Sequence, residues 1–380
     1  MTRSMLLDRL RCGTATAILE STVAREPLSG EVLSYPFLAI VDQVEMKTAL
    51  LLSVINPAIG GVLLIGPRGT GKTTAVRGLV DLMPPVRRSR CVYGCDEEAA
   101  ETGGIDALCS ECAAKYARGE PLTVLERLRL FELPLNARLE DVIGGINERI
   151  AVEQQKVRLE RGLLAYAHRN MLYIDEVNLL DDSITDAILD AAAQRRVTVR
   201  RGPFSAIYPS EIILVGSMNP EEGTLRPQIQ DRFGLRVLVD GLKEPRDRLE
   251  VYRRVRAFRE HPRRLISAFA ADTENMGEEL AAARELLPQV TLKPEAEELV
   301  FRLVHDLEIS SHRAELATLE AARAHAAADQ RTEVTTGDVV AVAPMALRQR
   351  RSTFMREYLA TAQIEEDEIW AACQATQEVP

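Results

Sequence analysis

The sequence predicts an α/β fold, a doubly wound parallel sheet followed by a smaller all-helical domain, and two observations carry that prediction. Gly61-Val62-Leu63-Leu64-Ile65, Met171 to Ile174 and Ile212 to Val215 are short, unbroken apolar runs of the kind buried on both faces of a parallel sheet, with helical patterns between and around them. After about Pro245 such runs stop, and the chain reads as amphipathic helices broken at Pro262, Pro288, Pro294 and Pro344, with a polar connection near Asp272 to Gly277. A helix is also expected before the first strand, because residues 36–56 place Met46, Leu50 and Val54 at helical spacing and Asn56-Pro57 then interrupts them.

The 380 residues, 46% of them apolar, suffice for two cores. The expected division is an N-terminal extension over 1–34, an α/β domain over 35–244 and a helical domain over 245–380. Within the α/β domain, inserts are expected at about 86–120 and 140–165. A net charge of −10 argues against a general nucleic-acid binder. No apolar run reaches the 18 to 20 or so residues that a membrane-spanning helix needs. At the N-terminus Arg3, Arg9 and Arg11 flank Leu6, Leu7 and Leu10, which reads as a short amphipathic helix or tail rather than an export signal. Six cysteines without such a signal point to a reducing compartment, with the cytoplasm as the expected location.

The strongest chemical signal is Gly66-Pro67-Arg68-Gly69-Thr70-Gly71-Lys72-Thr73, followed by Thr74. It satisfies G-x-x-x-x-G-K-[ST] between a strand and a helix, the context in which that pattern cradles phosphate. Glycines let the backbone wrap the phosphates with its N–H groups, and the helix N-terminus adds partial positive charge. Lys72 is placed for the β and γ phosphates, and Thr73 for the Mg²⁺ that accompanies ATP. Met171-Leu172-Tyr173-Ile174-Asp175-Glu176 is an apolar strand that ends in two carboxylates. Asp175 suits the Mg²⁺ shell, and Glu176 suits the water that attacks the phosphate. Asn219 ends the third strand candidate beside the same crevice, and as a turn residue before Pro220 it has a plainer explanation too. Arg226 and Arg232 follow, in an Arg-rich chain where most arginines are solvated; the surrounding motif sets Arg232 apart, and a planar, permanently charged fork suits developing phosphoryl charge.

Ile174-Asp175-Glu176-Val177-Asn178-Leu179-Leu180, Asn219-Pro220-Glu221-Glu222-Gly223, Leu225-Arg226-Pro227-Gln228 and Asp231-Arg232-Phe233-Gly234 together closely resemble the I-type ATPase subunit of magnesium chelatase, an AAA+ family. Pro36-Phe37, Gly60-Gly61-Val62-Leu63, Pro134-Leu135-Asn136-Ala137 and Gly162-Leu163-Leu164-Ala165 extend the likeness from about residue 35 to residue 350. The resemblance implies an AAA+ core with a helical lid and a homo-oligomeric, hexameric ring that hydrolyses ATP. It also implies the D and H subunits of magnesium chelatase as partners, and Mg²⁺ insertion into protoporphyrin IX on the way to chlorophyll or bacteriochlorophyll. It implies Asn219 as sensor 1, Arg232 as the arginine presented to a neighbouring subunit, and Arg313, in Ser-His-Arg-Ala-Glu-Leu, as sensor 2. Asp42 stands where the family generally has Gly, and Asn147 and the run ending at Arg161-Gly162 also depart from its pattern. These departures leave open a MoxR-like AAA+ chaperone acting on another enzyme and, further off, a nucleic-acid motor of a related clade.

Cys91, Cys95, Cys109 and Cys112 form C-x3-C-x13-C-x2-C in a Gly-containing stretch. Two close pairs of thiolates fit a structural Zn²⁺, and four thiols without metal are the alternative. Cys12 and Cys373 have no such neighbours. The five histidines are scattered, with no clustered tetrapyrrole site.

Overall fold

The computed structural model describes residues 33–351 apart from 84, 92–93 and 147–158, together with positions 358, 361–362, 364–366 and 369–370. The expected N-terminal helix with Arg3, Arg9 and Arg11, and the residues Cys12, Asn147 and Cys373, lie outside the described residues.

Thirteen strands are described, five of them in the central sheet. β1 (Val62–Ile65), β4 (Leu130–Leu133), β7 (Met171–Ile174), β10 (Ile213–Met218) and β11 (Leu235–Leu238) form that sheet in the order β11-β1-β10-β7-β4, every pair parallel. Alternation sorts the side chains into two cores. Val62, Leu64, Met171, Tyr173, Ile213 and Val215 face the helices Val44–Ile55 and Lys72–Leu79 and the later helical segment. Leu63, Ile65, Leu172, Ile174 and Leu214 face the helix Asp182–Gln194. A sheet covered on both sides this way explains why its inner strands read as continuous apolar runs.

The edge strands β4 and β11 are not evident in the sequence because Leu130-Phe131-Glu132-Leu133 and Leu235-Arg236-Val237-Leu238 each carry a charge inside a short run. The third expected strand begins one residue later than its apolar run and continues through Gly216-Ser217-Met218, so that Asn219 stands at its end as the sequence suggests. Four smaller ribbons sit outside the sheet. β2 (Val86–Ser89) pairs antiparallel with β3 (Thr123–Glu126), and the helices Glu97–Gly103 and Ser110–Ala117 lie between them in sequence. β5 (Gly144–Ile146) pairs with β6 (Leu159–Arg161), and β8 (Arg196–Arg201) forms a hairpin with β9 (Phe204–Pro209).

From Pro245 on, the helices with both ends among the described residues are Pro245–Glu260, Pro262–Leu286, Pro294–Asp306, His312–Ala328 and Thr336–Leu347. Two expectations there are corrected. The polar stretch at Asp272 to Gly277 is not a connection but the middle of the helix Pro262–Leu286, because Phe269, Met276 and Leu280 keep its apolar stripe in register across it. Pro344 does not end a helix but lies within Thr336–Leu347, near its C-terminal end. Pro262 and Pro294 do occupy helix starts, where a missing N–H costs nothing. Strands also persist past Pro245 as one two-residue parallel pair, β12 (Thr291–Leu292) with β13 (Glu333–Val334).

Candidate functional site

The phosphate-type loop leaves the C-terminal end of β1. A Cβ on Gly66 would come within 1.9 Å of the Val239 carbonyl oxygen, so only glycine fits where the loop crosses β11's continuation. Gly69 and Gly71 have φ of 80° and 88°, and a Cβ there would meet open space, so backbone conformation rather than crowding requires glycine. The helix Lys72–Leu79 follows, directing its first N–H groups into the bend. Lys72 is buried and donates from Nζ to the carbonyls of Gly66 and Pro67, both at 2.7 Å. Burial pulls its ammonium below the ordinary lysine range.

These residues line one side of a cavity of about 310 Å³, and Asp175, Glu176, Ser217, Met218 and Asn219 line the other. Register assembles that second side: β10 pairs Val215 with Tyr173 and Gly216 with Ile174, which brings Ser217 level with Asp175 at the strand ends. The Tyr173 hydroxyl lies 3.0 Å from Thr73 Oγ1 and donates to Asp175 Oδ1 at 2.9 Å. Ser217 Oγ also donates to Asp175 Oδ1, and the Glu176 N–H donates to Ser217 Oγ at 3.1 Å. Thr73 Oγ1 is 3.4 Å from Asp175 Oδ2, so a hydroxyl and a carboxylate face the same corner of the cavity. Burial raises the Tyr173 phenol, which stays protonated and available as a donor. Tyr173 and Ser217 are visible in sequence only as strand residues; their role depends on register.

Glu176 adopts φ 53° and ψ 54°, a left-handed conformation that a glutamate rarely takes. Its carboxylate accepts from Arg68 at 2.9 Å, and the same guanidinium reaches Glu222 at 2.6 Å. Asn219 is buried, and its Oδ1 accepts from the Glu221 N–H at 3.3 Å while it lines the cavity. The turn role and the cavity position are compatible.

Arg232 and Arg313 do not line this cavity. Arg232 Nη1 contacts Asp186 Oδ1 at 3.1 Å and Asp190 Oδ1 at 3.0 Å, carboxylates one turn apart on the helix Asp182–Gln194. Arg226 reaches Asp182 at 2.7 Å on the same helix. Arg313 is half exposed at the start of its helix, 3.8 Å from Asp231 Oδ2. Asp231, which no sequence pattern singles out by itself, is a junction: Arg350 Nη1 reaches its Oδ1 at 2.6 Å, Ser311 Oγ donates to Oδ2 at 2.6 Å, and the buried Arg236 stands 3.6 Å away. Arg236 and Arg350 also donate to main-chain oxygens at the ends of the helices they join.

Asp42 and Gln43 both have φ of 51°, a left-handed conformation that Asp tolerates better than most side chains. The four insert cysteines converge, with their Sγ atoms all within 4.8 Å of one another; Cys95 and Cys112 are buried, and burial raises both thiols.

A doubly wound parallel sheet in which β1 ends in a phosphate loop, the adjacent central strand β10 ends at Asn219 and β7 beyond it ends at Asp175-Glu176 defines a P-loop nucleoside triphosphatase of the AAA+ class. The family model of magnesium chelatase subunit ChlI matches residues 148–233, and that of the AAA lid domain matches residues 301–370. The ChlI homolog of Methanocaldococcus jannaschii is 43% identical over 87% of this chain and 90% of its own length. The magnesium-chelatase 38 kDa subunit of Acidiphilium rubrum is also 43% identical, over 87% of this chain and 95% of its own. A solved structure from Cytophaga hutchinsonii, 20% identical and with a TM-score of 0.53 over 87% of this chain and 89% of the other, has the same fold. The chain belongs to the magnesium-chelatase subunit ChlI family.

Proposed function

We propose that this protein is the ATP-hydrolysing motor subunit of a magnesium chelatase, and that the cavity at the ends of β1, β7 and β10 is its hydrolytic site. The observation that carries this reading is the convergence of Lys72, Thr73, Asp175, Glu176 and Asn219 on one cavity of nucleotide-phosphate character. Bound ATP with Mg²⁺ supplies the phosphoanhydride and the charge neutralisation that its cleavage needs. The N–H groups of Gly69 to Thr74 bind the phosphates, and Lys72 exchanges its loop carbonyls for phosphate oxygens. Thr73 Oγ1 and Asp175 hold the metal, with Tyr173 and Ser217 fixing the orientation of Asp175. Glu176 orients a water and accepts its proton, and Asn219 positions the same water from the facing strand. Arg232 stabilises phosphoryl charge in the neighbouring subunit's site, for which it exchanges Asp186 and Asp190 for phosphate; Arg313 serves as the sensor on the helical lid.

This reading includes a homo-oligomeric, hexameric ring that works with the chelatase's D subunit and its porphyrin-binding H subunit. The work of the assembly is Mg²⁺ insertion into protoporphyrin IX in chlorophyll or bacteriochlorophyll synthesis. The inserted Mg²⁺ is substrate and distinct from the ion bound with ATP. Family membership supports the partner assignments. Reconstitution with cognate D and H subunits tests them: ATP-dependent formation of Mg-protoporphyrin is expected. Robust ATPase activity with no metallated porphyrin overturns the chelatase assignment in favour of remodelling another client.

A further inference from the structure

The insert between β2 and β3 has very little core of its own. Its buried apolar cluster is Cys95, Ala100, Leu108, Cys112 and Leu122, with Cys91 and Cys109 packed against it. So few buried side chains stabilise a small unit weakly, and such units are usually held by a cross-link or a metal.

The cysteine geometry matches a metal. Tetrahedral Zn²⁺ with sulfur at about 2.3 Å separates its ligands by roughly 3.8 Å. Here Cys91 and Cys109 Sγ are 3.6 Å apart, and all four sulfurs lie within 4.8 Å of one another. Each pair sits in a suitable local structure. Gly94, with φ 78° and its N–H donating to the Cys91 carbonyl at 3.1 Å, turns the chain between Cys91 and Cys95. Cys109 caps the helix Ser110–Ala117, which carries Cys112 in its first turn, and the Cys109 N–H points at Cys95 Sγ at 3.3 Å. The other cluster of metal-ligand type among the described residues, His325 with Asp329 and Asp338, already has a cation in Arg331, which pairs with both aspartates.

Arg161 supplies an independent observation. Its Nε and Nη2 are fully buried with no hydrogen-bond partner, and its guanidinium stacks over the Tyr208 ring at 5.1 Å. It lies against the first cysteine turn, since a Cβ on Gly94 would come 2.9 Å from Nη2, and it shares a cavity of about 250 Å³ with Cys91. The side chain as a whole is partly buried, but guanidinium N–H groups withdrawn from water without an acceptor are costly unless an anion faces them. Four thiolates around one Zn²⁺ leave a net charge of about −2.

We propose that Cys91, Cys95, Cys109 and Cys112 form a structural Zn²⁺ site and that Arg161, at the end of β6, is the positioning cation for it. The site thereby ties the insert to the β5–β6 ribbon, whose intervening residues 147–158 include one of the departures from the family pattern. Metal analysis of the full chain purified without chelator is expected to give about one zinc per chain, with four thiols titrating as a mercurial displaces it. Cys112→Ser should lower zinc content at least tenfold, whereas Lys72→Ala, which disables nucleotide binding, should leave it unchanged. Arg161→Met should retain the stoichiometry at saturating zinc but weaken affinity about 10- to 100-fold in competition with a chromophoric chelator. Wild-type chain that contains no zinc, that contains iron, or whose four cysteines are oxidised in pairs overturns the site. Unchanged zinc affinity in Arg161→Met overturns the role of the arginine. Absence of ATPase activity from a zinc-loaded chain would count against the hydrolytic reading alone.

Discussion

The nucleotide cavity and the cysteine-bearing insert both hold polar groups at fixed separations, but they do so with opposite resources. The cavity is built on the ends of strands buried on both faces, so Asp175, Ser217 and Thr73 inherit their positions from two apolar cores. The insert has five buried residues in its own core and is docked by charge, with Arg169 reaching Asp96 at 3.4 Å and also pairing with Glu98. The difference teaches that changing a residue in the cavity alters chemistry with little change in folding. A change at the junctions between units should do the reverse.

The largest expected effect breaks the cavity's chemistry. Glu176→Gln should lower kcat for ATP hydrolysis by about 10²–10⁴ while ATP still binds, because the amide cannot take the water's proton. Lys72→Ala should instead weaken nucleotide binding itself. Steady-state turnover alongside equilibrium binding of a fluorescent ATP analogue separates the two, and thermal unfolding should place both variants within a few degrees of wild type. Normal turnover in Glu176→Gln would remove its assigned role.

The converse expectation falls on Asp231. Its carboxylate is shared by Arg350 and Arg236, both almost entirely buried, so Asp231→Asn leaves two interior guanidinium groups without a counter-charge. Breaking a buried pair in this way typically costs about 3–5 kcal/mol. Denaturant unfolding should register that loss. A midpoint unchanged from wild type would mean that the main-chain oxygens accepting from these arginines suffice.

Local patterns are legible in the sequence, and relationships across strands are not. The phosphate loop, the Asp175-Glu176 pair and Asn219 can be read because each sits where a buried strand stops, and a strand of Val, Leu and Ile announces its own end. The pairing of Tyr173 and Ser217 around Asp175 depends on the register of β7 against β10, which no single segment encodes. β11 is hidden for a related reason: Arg236 looks like a surface residue until Asp231 and the carbonyls of Gln230, Arg348 and Gln349 close around it. The cysteine spacing is legible, but the facing Arg161 stands out in sequence only as a departure from a family pattern.

A pH dependence sharpens the comparison at the boundary between insert and core. His168 is partly buried near Asp96, accepts the Glu211 N–H on Nδ1 at 3.1 Å, and desolvation lowers its pKa from 6.5 to about 4. The folded state therefore holds a neutral imidazole where the unfolded chain binds a proton. Between pH 6.5 and 4 the unfolded state takes up more protons, so this contribution to stability is present above pH 6.5 and lost as pH falls toward 4. Its full size is up to about 3 kcal/mol. Unfolding of wild type and His168→Asn across that range checks it, since the variant should show a shallower acid loss; parallel curves would mean that His168 titrates normally.

The smallest expected effect returns to the cavity and concerns Arg68. Its guanidinium bridges Glu176 and Glu222 across the mouth of the site, at 2.9 and 2.6 Å, while remaining largely exposed. That bridge competes with the placement of Glu176 on an attacking water, so Arg68→Ala should raise basal turnover rather than lower it. Exposed ion pairs couple only weakly, which limits the increase to no more than about fivefold. Screening should mimic the substitution: wild-type turnover should rise with moderate salt and the variant's should not. Should Arg68→Ala instead lose activity with an increased KM, Arg68 binds nucleotide and its contact with Glu176 is incidental to hydrolysis.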